Sequence, residues 1–428
     1  MRVLIISHNV FGKTNNMGKT LLSYFSDFSP EEIAQFYIHS EVPTDDSVCR
    51  NYYRFTDKDA IRSVLSFRNC GTRIGPDKIQ TGRMTSRTDS GIMGTAYQIG
   101  RKRTAGIFAA RNVLWRLSRW NTKEFRAWVD DFNPDVIFFA SGDYSFAYDI
   151  AMEVADHTGK PLVVLCVDDF YLHNRNEKTA LGRLTHRMFM KTVRRTMARA
   201  EELYVISESM KDEYEKLFGK TCRVLHTPAA RKKVGRNDGA VQISYIGNLG
   251  LGRSGQLVRM GRALKELHGE HIPDAIDVYS GEQNPEILKT LTEENGIRFH
   301  GMISAEAVPD VMGRSMAVIH TESFDPNLTQ IVRFSVSTKI AESLMYGPCL
   351  IAYGPEGVAS IDYLKQHGAA YVISDPAMLA EGLREILSDG SRREQTVRKA
   401  RELAERNHDL EINSKKVRIW MQGTAKLR

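Results

Sequence analysis

Two stretches in the second half of the sequence carry residue types suited to gripping a phosphate and a sugar. In Ser244-Tyr245-Ile246-Gly247-Asn248-Leu249-Gly250-Leu251-Gly252-Arg253, an apolar strand enters a glycine-rich loop that carries one arginine into a helix. Bare backbone and a fixed guanidinium can hold a diphosphate. Thr338-Lys339-Ile340-Ala341-Glu342-Ser343-Leu344-Met345-Tyr346-Gly347-Pro348 reads as a helix stopped by Gly and Pro, with Lys339 in its first turn and Glu342 one turn on. A lysine there opposes the helix dipole, a mild cost that an anion bound at the same place would offset; a solvated lysine is the alternative. A carboxylate one turn deeper can accept hydrogen bonds from both hydroxyls of a ribose.

The first half offers carboxylates and a loop that imitates a phosphate cradle. Asp143, Asp168 and Asp169 follow predicted strands, where a carboxylate can orient a substrate hydroxyl or act as a base. Capping of neighbouring helices is the alternative for each. The stretch from Gly12 to Thr20 follows the first strand and ends in Gly-Lys-Thr, and with Val163-Val164-Leu165-Cys166-Val167-Asp168-Asp169 it resembles a P-loop NTPase. The cradle, however, needs four residues between its glycines, and five intervene here. Another use remains for a helix beginning near Lys19: His8, Asn9, Gly18 and Lys19 would contact a substrate phosphate at its N-terminus. Alternatively, Gly18 only permits a tight turn.

No cysteine nucleophile, Gly-x-Ser-x-Gly elbow or HExxH helix competes. Cys49, Cys70, Cys166, Cys222 and Cys349 are scattered singly, without zinc-ligand spacing, and fit a reducing cytoplasm.

Short aliphatic runs that must position these residues recur along the chain, each followed by an amphipathic stretch. They include Val3 to Ile6, Val136 to Phe139, Leu162 to Val167, Leu203 to Ile206, Ile243 to Ile246, Ile276 to Tyr279, Ala317 to His320 and Leu350 to Ala352. Such alternation predicts α/β units with buried parallel sheets. A length of 428 residues allows two or three domains, and 26% charged with 42% apolar residues excludes collagen-like and low-complexity classes. The polar, turn-rich stretch from Pro228 to Gly239 divides the chain into 1–228 and 229–405, with last helices in 406–428. No apolar run is long enough to cross a bilayer, and the N-terminus reads as a strand rather than a signal peptide.

Charge is unevenly spread. The chain carries 59 Lys and Arg against 52 Asp and Glu, a net +7, whereas residues 62–126 alone hold 14 basic and 3 acidic residues and no clear strand. From Ile107 to Trp128, aromatic residues interleave with arginines, as in interfacial amphipathic helices, so an anionic membrane surface would fit 101–128. The competing reading is a basic insertion whose aromatics pack on their own domain. Nucleic acid is not expected, because no nucleic-acid motif is present and the charge is confined to one insertion.

The order of these pieces resembles GT-B glycosyltransferases, especially the large retaining group called family 4 (group 1 type). The resemblance runs from Tyr245-Ile246-Gly247-Asn248 through Ile297-Arg298-Phe299-His300-Gly301-Met302-Ile303 and Ser315-Met316-Ala317-Val318-Ile319-His320 to Ser337-Thr338-Lys339-Ile340-Ala341-Glu342-Ser343-Leu344-Met345-Tyr346-Gly347. In the first half, Asn133-Pro134-Asp135-Val136-Ile137 and the stretch from Ala200 to Met210 look like the family's strand openings, and only 40–130 lies outside the likeness.

The resemblance implies two doubly wound Rossmann-like domains facing a central cleft: an acceptor domain, 1–228, and a nucleotide-sugar domain, 229–405, with 406–428 crossing back to the first. It implies hexosyl transfer, without metal or separate cofactor, from a UDP-sugar to a glycan or lipid-linked precursor, and the basic aromatic insertion adds the cytoplasmic side of a membrane as the place. Arg253 and Lys339 would hold the diphosphate, Glu342 the ribose, Gly247, Asn248, Ser337 and Thr338 the surrounding backbone contacts, and the backbone at Phe299-His300-Gly301 the base. The family keeps a second glutamate eight positions before the ribose one; here that position is Phe334, and Glu322 and Asp325 would replace it at the sugar. Asp143 and Asp168 would serve the acceptor as catalytic groups, with Asp169, Gly18 and Lys19 beside them. A catalytically silent GT-B module and, less favoured, a P-loop NTPase are the alternatives.

Overall fold

The computed structural model describes residues 1–12, 15–66, 70–79, 104–173, 178–235, 241–267, 269 and 272–427. The chain forms two units: Met1–Leu225 together with Ser414–Arg428, and His226–Asn413.

In the first unit the strands are β1 (Val3–Ser7), β2 (Ile33–Tyr37), β3 (Asn51–Arg54), β4 (Thr72–Ile74), β5 (Val136–Ala140), β6 (Leu162–Cys166), β7 (Glu202–Val205) and β8 (Cys222–Val224). They form one sheet in the order β4-β3-β2-β1-β5-β6-β7-β8, parallel except for the β3–β4 pair. Between them run α1 (Asn16–Tyr24), α2 (Asp57–Leu65), α3 (Ala105–Leu117), α4 (Lys123–Phe132), α5 (Ser145–Thr158), α6 (Ala180–Arg199) and α7 (Glu208–Phe218). Every residue of β1, β5 and β6 is buried, which is why these strands read as unbroken aliphatic runs rather than as alternating ones. Ser207 caps α7 through the Met210 amide, as its sequence predicts.

Two features differ from expectation. β2 interrupts its apolar run with Gln35, whose side chain is fully buried, accepts from the Phe11 amide at 3.0 Å and donates to Ser7 Oγ at 2.8 Å. A buried amide costs little once both its ends are bonded, so the strand tolerates it. β4 is a strand inside 62–126, where none was expected; it is three residues long and pairs antiparallel with β3.

Four aromatics of the stretch 107–128 belong to the core, while Phe108 is half-buried. Trp115 and Trp128 are each 1% exposed, and Trp120 and Phe125 are also buried. Trp115 stacks on Phe146 with ring centroids 4.3 Å apart, and its Nε1 donates to Asp57 at 2.7 Å; Trp128 Nε1 donates to Asn51 at 2.7 Å. An indole whose N–H finds an internal acceptor gains both area burial and a hydrogen bond by facing inward, so these rings pack on their own domain. Residues 101–103 of the expected membrane segment lie outside the described residues.

The second unit holds β9 (Gln242–Ile246), β10 (Ile276–Tyr279), β11 (Ile297–Gly301), β12 (Ser315–Thr321), β13 (Cys349–Tyr353) and β14 (Tyr371–Ile373). Its sheet, in the order β11-β10-β9-β12-β13-β14, is wholly parallel. The longer helices are α8 (Arg253–Lys265), α9 (Val308–Arg314), α10 (Pro326–Val332), α11 (Thr338–Tyr346), α12 (Ala359–His367), α13 (Leu379–Ser388), α14 (Gly390–Asn407) and α15 (Leu410–Ala425). Two buried clusters form its core, one holding Leu344, Leu350, Ile361 and Leu403, the other Ile243, Leu257, Val278 and Ile351. Among the described residues no helix is long and apolar enough to cross a membrane.

The helix α15 begins in the second unit and ends in the first. Val417 and Met421 are fully buried in one cluster with Val3, Ile5 and Phe138, and Trp420 lies 5.2 Å from Tyr204. Arg418 donates to Asp27 Oδ2 at 2.7 Å and to Glu32 Oε2 at 2.8 Å, and the guanidinium pulls the Glu32 carboxyl down to about 2. Arg418→Ala is expected to cost about 2–3 kcal/mol at neutral pH, the scale of charged hydrogen bonds lost together. Because Glu32 has a depressed folded-state pKa, its share is complete above about 4.5 and is lost as the pH falls toward about 2. Urea unfolding at pH 7 and pH 3 checks this: the gap between the parent protein and the variant should narrow in acid.

Candidate functional site

The strand order of the second sheet reverses between β9 and β12, which are direct neighbours, while their successors β10 and β13 lie on opposite sides. Loops leaving such a pair diverge and open a crevice beyond the carboxyl ends, where α/β sheets bind ligands. Gly247 to Gly252 leaves β9 at this point, and Glu322 leaves β12.

The glycine-rich loop is held by its own polar atoms. Gly247 N donates to Tyr279 O at 3.1 Å, Gly250 N donates to Asn248 Oδ1 at 2.6 Å, and the Tyr245 hydroxyl donates to Asn248 O at 2.6 Å. Leu251 and Gly252 follow with φ of 57° and 78°. A left-handed leucine costs roughly 1–2 kcal/mol, strain of the kind found where a loop serves a ligand. At Gly252 a Cβ would also come within 2.7 Å of Ser323 Oγ.

Arg253 is the first residue of α8. Its Nε and Nη2 donate to Glu322 Oε2 at 3.1 Å and Oε1 at 2.8 Å, a two-point grip on a carboxylate that is 3% exposed. Burial works against the guanidinium charge, but Glu322 outweighs it and holds the Arg253 pKa above its ordinary value. His320 Nε2 lies 3.9 Å from Glu322 Oε1 and 2.9 Å from Ser360 Oγ, and its burial pushes its pKa down. Both carboxylate oxygens of Glu322 are therefore engaged by Arg253. Asp325 caps α10, accepting from Asn327 N at 2.8 Å. Arg253 Nη1 has no hydrogen bond among the described residues and remains a donor for an anion.

The helix α11 precedes β13, so its N-terminus lies at the same carboxyl edge; the bond from Ala359 N to Arg333 O, 2.7 Å, ties its approach to the segment that follows β13. Ser337 caps it, accepting from Lys339 N at 3.4 Å, and Thr338 opens it. Lys339 Nζ lies 2.8 Å from Glu342 Oε2, with the two side chains 36% and 14% exposed. Phe334, where the resembled family has glutamate, is 7% exposed, with the Arg333 guanidinium 4.1 Å over its ring.

His300 stacks on Tyr279 at 4.7 Å, and its Nε2 lies 2.5 Å from Asp277 Oδ1. Beside it is an open cavity of about 440 Å³ whose walls include Gln242, Asp274 and Arg298. Its walls run from Gln242 and Asp274, at the amino ends of β9 and β10, to Tyr279 and His300, at the carboxyl ends of β10 and β11. They include none of Arg253, Glu322 and Lys339, so the cavity is distinct from the crevice of the strand reversal.

In the first unit the sheet reverses between β1 and β5, and Asp143 lies just past β5. Asp168 and Asp169 follow β6. Asp169 is buried and accepts from Leu172 N at 3.0 Å and from the Tyr214 hydroxyl at 3.1 Å. The helix α1 starts at Asn16, one turn earlier than expected, because Asn15 caps it and takes the Gly18 amide at 2.6 Å. A Cβ on Gly18 would lie 2.4 Å from Val10 O, so close packing accounts for the glycine. Lys19 is exposed on that helix. Lys13 and Thr14 lie outside the described residues. Among those described, no three His, Cys, Asp or Glu side chains are grouped to hold a metal.

Residues 259–417 match the model of a family described as glycosyl transferase-like. A search of the curated proteins finds no match. Anabaena Alr3699/HepE, solved in complex with UDP, superimposes with a TM-score of 0.64 and 11% identity, over 99% of this chain and 100% of that one. Sucrose-phosphate synthase (tll1590) from Thermosynechococcus elongatus gives a TM-score of 0.61 and 11% identity, over the whole of both chains. WaaG, a glycosyltransferase involved in lipopolysaccharide biosynthesis, gives 0.53 and 12%, over 97% of this chain and 99% of that one. The fold is GT-B, with two Rossmann-like domains.

Proposed function

We propose that the protein is a glycosyltransferase that moves a hexosyl unit from a UDP-sugar to a glycan or lipid-linked glycan precursor in cell-surface polysaccharide biosynthesis. Two ion pairs at the carboxyl edge of the second sheet support this reading: Arg253 with Glu322 at the start of α8, and Lys339 with Glu342 at the start of α11. In this reading Arg253 and Lys339 meet the negative charge that grows on the diphosphate as the bond to the sugar breaks, an electrostatic role that needs no metal ion. Glu342 takes the ribose hydroxyls. Main chain at Gly247, Asn248, Ser337, Thr338 and His300 completes the donor contacts.

Transfer is read as retaining. The acceptor oxygen bonds to the sugar carbon on the face the diphosphate leaves, and its proton passes to the departing phosphate oxygen. Asp143 and Asp168 orient the acceptor, with Lys19 and Asp169 nearby. We place the work in the cytoplasm at the inner face of a membrane, with an anionic surface as a partner. Five free thiols suit that compartment.

The test is UDP release across a panel of UDP-hexoses, with GDP- and ADP-sugars as comparison. Glu342→Ala is expected to raise the donor KM about 10- to 100-fold, since charge-assisted hydrogen bonds to two hydroxyls are lost. The buried ring of Phe334 favours one other reading, a silent GT-B module that binds a glycan. Donor binding without turnover for every sugar would select that module instead.

A further inference from the structure

Three helices of the first unit lie side by side, with α3 packed against both α2 and α6. Each leaves large apolar side chains in solvent at helical spacing. On α2 these are Ile61 and Leu65, the latter 76% exposed; on α3 they are Val113 and Leu117, 56% and 64% exposed. On α6, Leu181, Leu184 and Met188 form one stripe at i, i+3 and i+7, and are 44%, 55% and 47% exposed. These three helices hold seven of the fifteen large apolar side chains exposed among the described residues, a concentration that calls for an occupant.

Charge decides which occupant. Neither α3 nor α6 contains a single Asp or Glu, while α3 carries Arg111 and Arg116 and α6 carries Arg183, Arg187, Lys191, Arg194, Arg195 and Arg199. Some of these are spoken for: Arg111 pairs with Asp57 at 2.9 Å, and Arg199 with Asp156 at 2.9 Å. Arg187 and Lys191 stand exposed beside Met188 and form no ion pair among the described residues. The α2 acids are turned to internal work, Asp57 binding Arg111 and Trp115, and Asp59 the Thr56 cap. Exposed leucines and a methionine flanked by unneutralised cations match the boundary between acyl chains and anionic headgroups.

We propose that α2, α3 and α6 together form a seat for an anionic lipid bilayer, with the α6 stripe as its apolar wedge. The proposal rests on the reading of the protein as a transferase with a membrane-held acceptor, and it moves the contact from Trp115, Trp120, Phe125 and Trp128, which are buried, to the exposed aliphatic side chains of α2, α3 and α6. The seat holds lipid by shallow insertion of the stripe while Arg187 and Lys191 pair with phosphates. It is salt-sensitive, because exposed charges are screened within about 8 Å at physiological ionic strength.

The test is sedimentation of the full chain with vesicles of phosphatidylglycerol and phosphatidylcholine, and separately of phosphatidylcholine alone. The chain is expected to bind the anionic vesicles, and to bind them at least about tenfold more weakly at high salt. Leu181→Ser/Leu184→Ser/Met188→Ser and, independently, Arg187→Gln/Lys191→Gln should each weaken binding by about tenfold or more, with circular dichroism and UDP release unchanged. Equal binding by the variants, equal binding to neutral vesicles, or no binding by the parent chain overturns the proposal. So does light scattering that finds a dimer dispersed by the apolar substitutions, since a second copy would then cover the face. Vesicle binding without donor turnover would leave the seat standing and remove the transferase reading; turnover without vesicle binding would do the reverse.

Discussion

Glu322→Ala is expected to destabilise the second unit by about 3–5 kcal/mol, because it leaves the Arg253 guanidinium, whose side chain is only 18% exposed, without its counter-charge. The loss exceeds that of a surface ion pair, which is worth about 1 kcal/mol or less, since here both carboxylate oxygens are bonded and water is largely excluded. Replacing both partners, as Arg253→Met with Glu322→Leu, removes the stranded charge and should return most of the stability. Thermal and urea unfolding of the three proteins reads this directly. A single Glu322→Ala variant within about 1 kcal/mol of the parent would show that the clasp contributes little.

That double variant also supplies the sharpest test of the chemistry. It is expected to fold, yet to lose about 10²- to 10³-fold in kcat/KM for the donor, the usual effect of deleting one preorganised donor aimed at developing charge. The fold-change rests on the donor role proposed for Arg253, the first residue of α8, where the guanidinium and the helix dipole would act on the same anion. Steady-state UDP release, compared with the parent at matched folded fraction, separates the effect from stability. Turnover within a few-fold of the parent would mean that the leaving group is neutralised by other residues, and the assignment of Arg253 would fall.

Local features of the fold and the site were legible in the sequence, and distant ones were not. The strands β1, β5, β6 and β13 announce themselves because they are buried on both faces and hold only apolar or small residues. β2 does not, because Gln35 breaks its pattern and is satisfied by the Phe11 amide and the Ser7 hydroxyl, partners that sequence cannot supply. Likewise Lys339 and Glu342 sit one turn apart, so their proximity is written in their spacing. Arg253 and Glu322 are 69 positions apart and meet only because β12 pairs directly with β9. Glu322 was visible as an acid past a strand; that it clasps the arginine was not. The interleaved tryptophans and arginines of 107–128 look alike for a membrane helix and a domain core, and the choice turns on Asp57 and Asn51 as acceptors for the indoles.

The return of α15 to the first unit sets an order on biosynthesis. Val417 and Met421 fill the same buried cluster as Val3 and Ile5, so a ribosome that has released residues 1–225 has not yet supplied everything that cluster requires. The later-made unit, 226–413, emerges whole before the earlier one can close. Until then part of one apolar face of the first sheet stands open, and a nascent chain that stalls there exposes a surface that chaperones recognise.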